Sequence, residues 1–340
     1  MTEVAKRATL RDVAETAGVS RSTASRALSG HGYVAERVRK KVVRTAEKLG
    51  YVPDVMARNL KQQQVSGSIG ILVTDLRNQF YADLAAGASQ EARRRGYTTM
   101  LVDDGLSSAA DDAAIAEAFV ALRVGGVVLT PTSAAVPEYL TRHRVPIVEV
   151  DRQFVPGGSD GVVVDNHAGA RAATEHLLEL GHRRIALFID ETDWSTGKGR
   201  YDGYVAALGD AGLEVDPGLV VATGWDVEGS QTRARQMLGV PDRPTAVFAA
   251  NNVLAEGVWR AVAELGLSVP GDVSVVAFDD APWMSMVTPG VTAVAQDSVE
   301  LGAAAVRRLL DRLGNSDAAP ETTVLDVVLR PRGSTGPAAG

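Results

Sequence analysis

From Ser68 onward the chain repeats one pattern: a short apolar run, a stretch of helical periodicity, then another apolar run. "SIGILVT", "YTTMLVDD", "GGVVLT", "PIVEVD", "GVVVDN", "RIALFID", "LVVATG", "AVFAAN" and "VSVVAFDD" are short and rich in β-branched residues, as buried strands are. Amphipathic stretches such as Tyr81 to Arg95 and Gly169 to Leu180 lie between them. Strands apolar on both faces need cover on both faces, and alternating β and α units supply it as doubly wound, mostly parallel sheets. A span of about 270 residues is large for one such sheet, so two Rossmann-like halves are expected.

The 340 residues contain no cysteine, which excludes disulfides, thiolate metal sites and a cysteine nucleophile. No run of about 18 apolar residues occurs, and "MTEVAKRATL" lacks the apolar core of a signal peptide, so neither membrane insertion nor export is expected and the cytoplasm is the expected location. The net charge of -7 is unevenly placed. Residues 1–64 hold 13 Lys and Arg against 6 Asp and Glu, and the remainder holds 22 against 36. A small basic head on a larger acidic body suits a polyanion-binding module joined to something else. A basic surface without a partner would read the same from charge alone.

In "TLRDVAETAGVSRSTASRAL", residues 9–28, Leu10, Val13, Ala14 and Ala17 form one apolar helix face, with Thr9 placed to cap it. Gly18 tolerates the positive φ of a helix end, Val19 plugs the corner, and Ser20 can cap a second helix. That helix turns Ala24, Ala27 and Leu28 inward and leaves Arg21, Ser22, Ser25 and Arg26 outside. Helix, Gly-containing turn and helix is the helix-turn-helix arrangement, whose second helix enters the major groove. Arginine suits bidentate contact to guanine, while hydroxyls and helix N-termini suit phosphates. Arg21, Ser22 and Arg26 are therefore assigned to base edges, and Thr9, Ser20, Thr23 and Ser25 to the DNA backbone. A third helix is expected over about Glu36 to Leu49, with Val38, Val42, Ala46 and Leu49 inside. A purely structural three-helix bundle remains the alternative.

"TLRDVAETAGVSRSTASRALSG" followed by "YVPDVMARNLKQQ" resembles the N-terminus of the lactose-repressor/galactose-repressor (LacI/GalR) family of bacterial transcription regulators. The resemblance continues through "LLELGHRRIALF", "AVFAANN", "VPGDVSVVAFDD" and "LRPRGST", covering nearly the whole chain. It implies an all-α helix-turn-helix head (1–50), a hinge helix (51–64) and an α/β body (65–340) of two doubly wound lobes of periplasmic-binding-protein type. It further implies crossings between the lobes near 164, 292 and 321, giving an N-lobe of about 65–164 and 292–320 and a C-lobe of about 165–291 and 321–332. Leu60 falls on the family's minor-groove wedge, which fits the unstacking action of inserted apolar side chains. Asp54 stands where the family usually has Asn, and Ala35 where a Ser or Thr would cap the third helix. Read without the family, "VPDVMARNLKQQQ" would be a polar linker helix and Leu60 a packing residue.

Ligands of open parallel sheets sit beyond the carboxyl ends of the strands. Asp75, Asp103, Asp151 with Arg152, Asp190, Trp225, Asn251 and Asp279 fall there. Carboxylates, an amide and an arginine pair with neighbouring hydroxyls, and an indole covers an apolar sugar face. Any single strand-end Asp could equally be a helix cap. Matched to the family, Arg200, Trp225, Asn251 and Asp279 fall on effector-contacting positions, with Phe80 and Asp151 matching more loosely. Asn252 replaces a frequent Asp. A sugar is the expected effector, with a nucleoside or purine as the alternative.

Enzyme signatures are missing: the five histidines show no metal-ligand spacing, and there is no GxSxG or GxxxxGK[ST]. "STGKGR" lacks the spacing of a phosphate loop, and "LGHRRI" reads as a structural turn. No cofactor or metal is expected. A plain sugar-binding protein would share the body but not the basic head. The expected partners are double-stranded DNA at a pseudo-palindromic operator, a second copy of the chain, and the effector, since one short helix reads too few bases alone.

Overall fold

The computed structural model describes residues 8–29, 32–51, 67–105, 109–154, 157–190 and 192–338. The chain divides into two units, Met1–Ser66 and Gly67–Gly340.

In the first unit, α1 (Leu10–Ala17), α2 (Arg21–Ser29) and α3 (Glu36–Lys48) enclose a small core of Val13, Ala14, Ala17, Ala24, Ala27, Val42 and Ala46. Thr9 and Asp12 form a reciprocal capping box: the Asp12 N–H donates to Thr9 Oγ1 and the Thr9 N–H to Asp12 Oδ2. Gly18, at φ 63°, ends α1 with Val19 N–H reaching back to Ala14 O, the double reversal of a Schellman motif. α3 ends the same way, with Gly50 N–H on Glu47 O and Tyr51 N–H on Ala46 O. This corrects one expectation. Leu49 becomes the C-cap and is exposed, while Tyr51, folded back by the motif, packs on the core in its place. Ala35 precedes α3 without a side-chain cap.

The second unit begins with β1 (Ser68–Val73), α4 (Gln79–Arg94), β2 (Thr98–Asp103), α5 (Ala109–Ala121), β3 (Val127–Leu129), α6 (Ala135–Arg142), β4 (Ile147–Val150) and β5 (Asp160–Val164). It continues with α7 (Asn166–Glu179), β6 (Ile185–Ile189), α8 (Ser195–Asp210), β7 (Val220–Ala222), α9 (Val227–Leu238), β8 (Ala246–Ala249), α10 (Asn252–Glu264), β9 (Ser274–Phe278), α11 (Trp283–Met286) and β10 (Thr292–Ala295). It closes with α12 (Ser298–Gly314), β11 (Thr322–Leu325) and β12 (Val328–Arg330). One sheet runs β2-β1-β3-β4-β5-β11 and the other β7-β6-β8-β9-β10-β12, parallel throughout except for β12. The strand orders correspond position by position, so β4 in one lobe is equivalent to β9 in the other. These are the two doubly wound lobes of a periplasmic-binding-protein-type fold.

The first crossing follows β5, but the other two differ from the expected positions near 292 and 321. β10 pairs with β9 inside the second sheet, so the chain returns to the first lobe only after Ala295, where α12 packs on α4 and β4. β11 pairs with β5 in the first sheet, so the last crossing comes after Leu325. Both apolar faces of β10 are buried, which holds it as an interior strand of the second sheet. At the crossing of α12 over α4 the backbones nearly touch. A Cβ added at Gly302 would lie 2.0 Å from Leu84 O, and one at Gly87 would lie 2.0 Å from Val299 O.

His182 does tie a turn together, with one ring nitrogen 2.9 Å from Thr245 Oγ1 and the other 3.0 Å from Gly336 O. Among the described residues, no helix is long and apolar enough to cross a membrane.

Candidate DNA-reading face and ligand cleft

In the first unit, α2 presents Arg21, Ser22, Ser25 and Arg26 to solvent, with Ala24 and Ala27 buried behind them. Ser20 caps the helix through Thr23 N–H at 3.1 Å, and its hydroxyl bonds those of Ser22 and Thr23. Arg26 Nε donates to the Ser22 carbonyl at 3.3 Å, which lays the side chain along the outer face of the helix. Thr9, likewise exposed, stands at the start of α1. No acidic residue lies in α2, so nothing on this helix neutralises the two guanidiniums. α3 adds exposed Arg37, Lys40, Lys41, Arg44 and Lys48, of which Lys40 pairs with Glu36. Leu60 and the hinge segment beyond Tyr51 lie outside the described residues.

In the second unit, Phe80, Asp151, Arg152, Arg200, Trp225, Asn251 and Asp279 line one narrow, partly open cleft of about 20 Å³. Asp151 follows β4 and Asp279 follows β9, the equivalent strands of the two lobes. Both have left-handed backbones, with φ of 72° and 67°. That region is uncommon for a non-glycine residue and clusters at functional sites. Asp279 Oδ1 accepts from Gln296 Nε2, and Oδ2 accepts from Asn252 N–H at 3.3 Å. Burial pushes its carboxyl above the ordinary range, against the pull of the Arg200 guanidinium 3.9 Å away.

Arg200 enters from the second turn of α8, where "STGKGR" serves as a helix start rather than a phosphate loop. Its Nε donates to Asn166 Oδ1 at 2.8 Å, Nη1 donates to the Ala250 carbonyl, and the guanidinium stacks 3.8 Å from the Phe278 ring centre. Arg152 is engaged differently. It pairs with Asp151 at 3.1 Å, donates to the Tyr81 hydroxyl and lies 4.2 Å from the Trp194 ring centre, crossing from one lobe to the other. Tyr81 and Trp225, also from opposite lobes, approach to 5.4 Å between ring centres. At the same seam the Asn78 and Asn252 amides exchange hydrogen bonds of 2.8 and 3.2 Å.

Asp75 is not part of the cleft. Its carboxylate is bound by Arg77 at 2.9 Å and accepts Arg77 N–H, shaping the turn before α4; the Arg77 hydrogen bond holds its pKa below the usual range. Asp103 likewise supports loop N–H groups of Leu76 and Gly105. Asn78, Tyr81, Asp190, Trp194, Thr196 and Gln296 also line the space. Sequence reasoning placed Asp190 at a strand end but left it out of the chosen set, and passed over the other five. Asn78, the cap residue in "RNQF", and Gln296, an amide directly after the apolar run "TAVA", carried readable signals. Tyr81 did not, because its helical spacing marks it as core, which it also is.

The cleft holds carboxylates, guanidiniums, amides and aromatic faces, a set suited to paired hydrogen bonds with neighbouring hydroxyls. Among the described residues, no group of three or more His, Asp or Glu is placed to hold a metal ion.

A helix-turn-helix unit in the same chain as a two-lobed binding unit defines a DNA-binding regulator with a ligand cleft. Residues 9–54 match the family described as bacterial regulatory proteins, lacI family, and residues 174–335 match the periplasmic binding protein-like domain. The ribose operon repressor of Escherichia coli (strain K12) is 34% identical over 333 residues, spanning 96% of this chain and 99% of that protein. The solved lac repressor dimer bound to operator and the anti-inducer ONPF matches with a TM-score of 0.86 at 28% identity, over 97% of this chain and 100% of that one. A LacI family transcriptional regulator from Enterococcus faecium with bound ribose gives 0.70 at 28% identity, over 80% and 100% of the two chains. The chain belongs to the lacI family of bacterial regulatory proteins, which are DNA-binding transcriptional regulators.

Proposed function

We propose that this protein is a transcriptional repressor that leaves its operator when ribose fills the cleft. The observation that carries the reading is one cleft in which three carboxylates, two guanidiniums and three amides face aromatic rings. The names of the ribose operon repressor and the ribose-bound regulator support the same sugar. The binding set is Phe80, Asp151, Arg152, Arg200, Trp225, Asn251 and Asp279, acting by recognition rather than catalysis.

Two copies of the chain place two heads on a pseudo-palindromic operator, a reading supported by the similar lac repressor, which is solved as a dimer bound to operator. Arg21, Ser22 and Arg26 read bases, Thr9, Ser20, Thr23 and Ser25 hold phosphates, and Leu60 wedges into the minor groove from the hinge. Ribose contacts both lobes, shifts their relative orientation and so changes the spacing of the hinges. Coupling of this kind is typically worth about 1–3 kcal/mol.

Arg26→Ala is expected to cost about 1–3 kcal/mol of operator affinity and to relax preference at one base position. Binding measured across a set of single-base operator variants checks this, and a uniform loss over all of them would make Arg26 a phosphate contact. Calorimetric titration of the full chain with ribose tests the effector assignment; absence of a binding isotherm sinks it.

A further inference from the structure

We propose that Asp190 is a specificity-determining residue of the cleft, accepting a hydroxyl hydrogen of the sugar through a carboxylate oxygen that the protein leaves unpaired. The inference rests on the sugar reading above and names one group of the protein that selects among sugars.

β6 is buried along its whole length and delivers Asp190 to the cleft, where the residue is 92% buried, with a relative exposure of 8%. Oδ2 accepts from Asn251 Nδ2 at 2.9 Å. The Asn251 amide is oriented for this, because its oxygen caps α10 by accepting Leu254 N–H at 2.9 Å. Oδ1 has no partner although it is buried. Neither nearby guanidinium bonds Oδ1: Arg152 engages Asp151 and Tyr81 through Nε and Nη2, and Arg200 engages Asn166 and the Ala250 carbonyl through Nε and Nη1. An ionised carboxylate oxygen held this way requires an O–H or N–H from outside the protein.

Two more unpartnered buried atoms border the same space, Arg152 Nη1 and Gln296 Oε1. Two acceptors and one donor are complementary to adjacent hydroxyls, each of which both donates and accepts. The fold itself does not call for an acid after β6. At the equivalent point of the first lobe, directly after β1, stands Thr74, whose hydroxyl is satisfied by Thr130 Oγ1 at 2.9 Å. Burial also raises the Asp190 carboxyl above its ordinary range, and a donated hydroxyl relieves that by stabilising the ionised form.

The test titrates the full-length protein, Asp190→Ala and Asp190→Asn with D-ribose, 2-deoxy-D-ribose, D-arabinose, D-xylose and D-lyxose, with melting curves to establish folding. The unaltered protein is expected to prefer ribose over at least one analogue by on the order of tenfold or more. In Asp190→Ala, ribose affinity falls by about tenfold or more and discrimination against that analogue collapses to within about twofold, while the remaining preferences persist. Asp190→Asn keeps an acceptor for Asn251 and turns a donor toward the sugar, so it folds and still loses about tenfold in ribose affinity.

Unchanged affinity and selectivity in both variants overturn the proposal. An equal loss for every sugar also overturns it, since Asp190 would then act only by holding Asn251. If the unaltered protein binds none of these sugars, the ribose reading itself fails and the inference falls with it.

Discussion

Asp279→Asn is expected to leave operator binding intact while raising the ribose concentration needed for release by roughly 10- to 150-fold, the equivalent of about 1.5–3 kcal/mol for a hydrogen bond to a charged group. Asparagine keeps the shape of the side chain and tolerates the left-handed backbone at this position better than alanine would. It has one acceptor oxygen where the carboxylate offers two, and Gln296 Nε2 and Asn252 N–H already occupy both. One donor is displaced, the amide hydrogens of the new residue face the cleft, and Arg200 loses its nearest negative charge. Operator titrations at a series of ribose concentrations separate the two effects. A release curve that superposes on that of the unaltered protein would remove Asp279 from the ligand site.

The same carboxyl gives a pH dependence of definite sign. Its pKa in the folded protein lies above the unfolded value, as does that of Asp190, because burial disfavours the charge. Their contribution to ligand-free stability is therefore fully present below the unfolded pKa and is lost as pH rises through the folded pKa. A ligand that donates hydrogens to the ionised oxygens stabilises most on the high side of that window.

Gly302→Ala is expected to destabilise the second unit by about 3 kcal/mol or more, at or beyond the upper end of overpacking costs. The added methyl would meet Leu84 O at 2.0 Å and Ala88 N at 2.8 Å, and both are backbone atoms of α4 that no side-chain rotation can withdraw. The two helices must separate along a seam that also packs on β4 and β3. Gly209→Ala supplies the control. Near the end of α8 an added Cβ meets nothing within 4 Å, so the same change there should stabilise by about 0.4–1 kcal/mol through the unfolded chain. Thermal melts of the two variants should move in opposite directions, and a Gly302→Ala protein that melts with the unaltered chain would mean that the α4–α12 contact is looser than described.

The alternation of β and α was legible because each strand carries its own signal: five of five residues in β6 and β9 are buried, and such strands read as continuous apolar runs. The head was legible for a related reason, since Thr9, Gly18 and Ser20 solve local problems of helix ends. The lobe crossings were not. "TAVA" of β10 and "TTVL" of β11 have similar strand character, and which sheet each joins depends on partners distant in sequence, Phe278 and its neighbours for one and Val162 to Val164 for the other.

The cleft was legible as a position and only partly as a membership. Asp75, Asp151 and Asp190 all follow strands, yet Arg77 draws Asp75 into a turn while a left-handed backbone turns Asp151 inward. Neither event is written in the strand pattern. Asn78 and Gln296 enter because helix and strand ends from both lobes converge, which no local window of sequence contains.

The central claim is that one chain reads DNA through α2 and is released from it by a sugar held between Asp151, Arg152, Arg200 and Asp279. The most direct test is the affinity of the full-length protein for a labelled fragment of its own upstream DNA, measured by anisotropy against competitor DNA with and without saturating ribose. Tight binding without sugar and a loss of roughly 5- to 150-fold with it is the predicted result. Failure to prefer any such fragment over competitor, or an affinity identical with and without ribose, would contradict it.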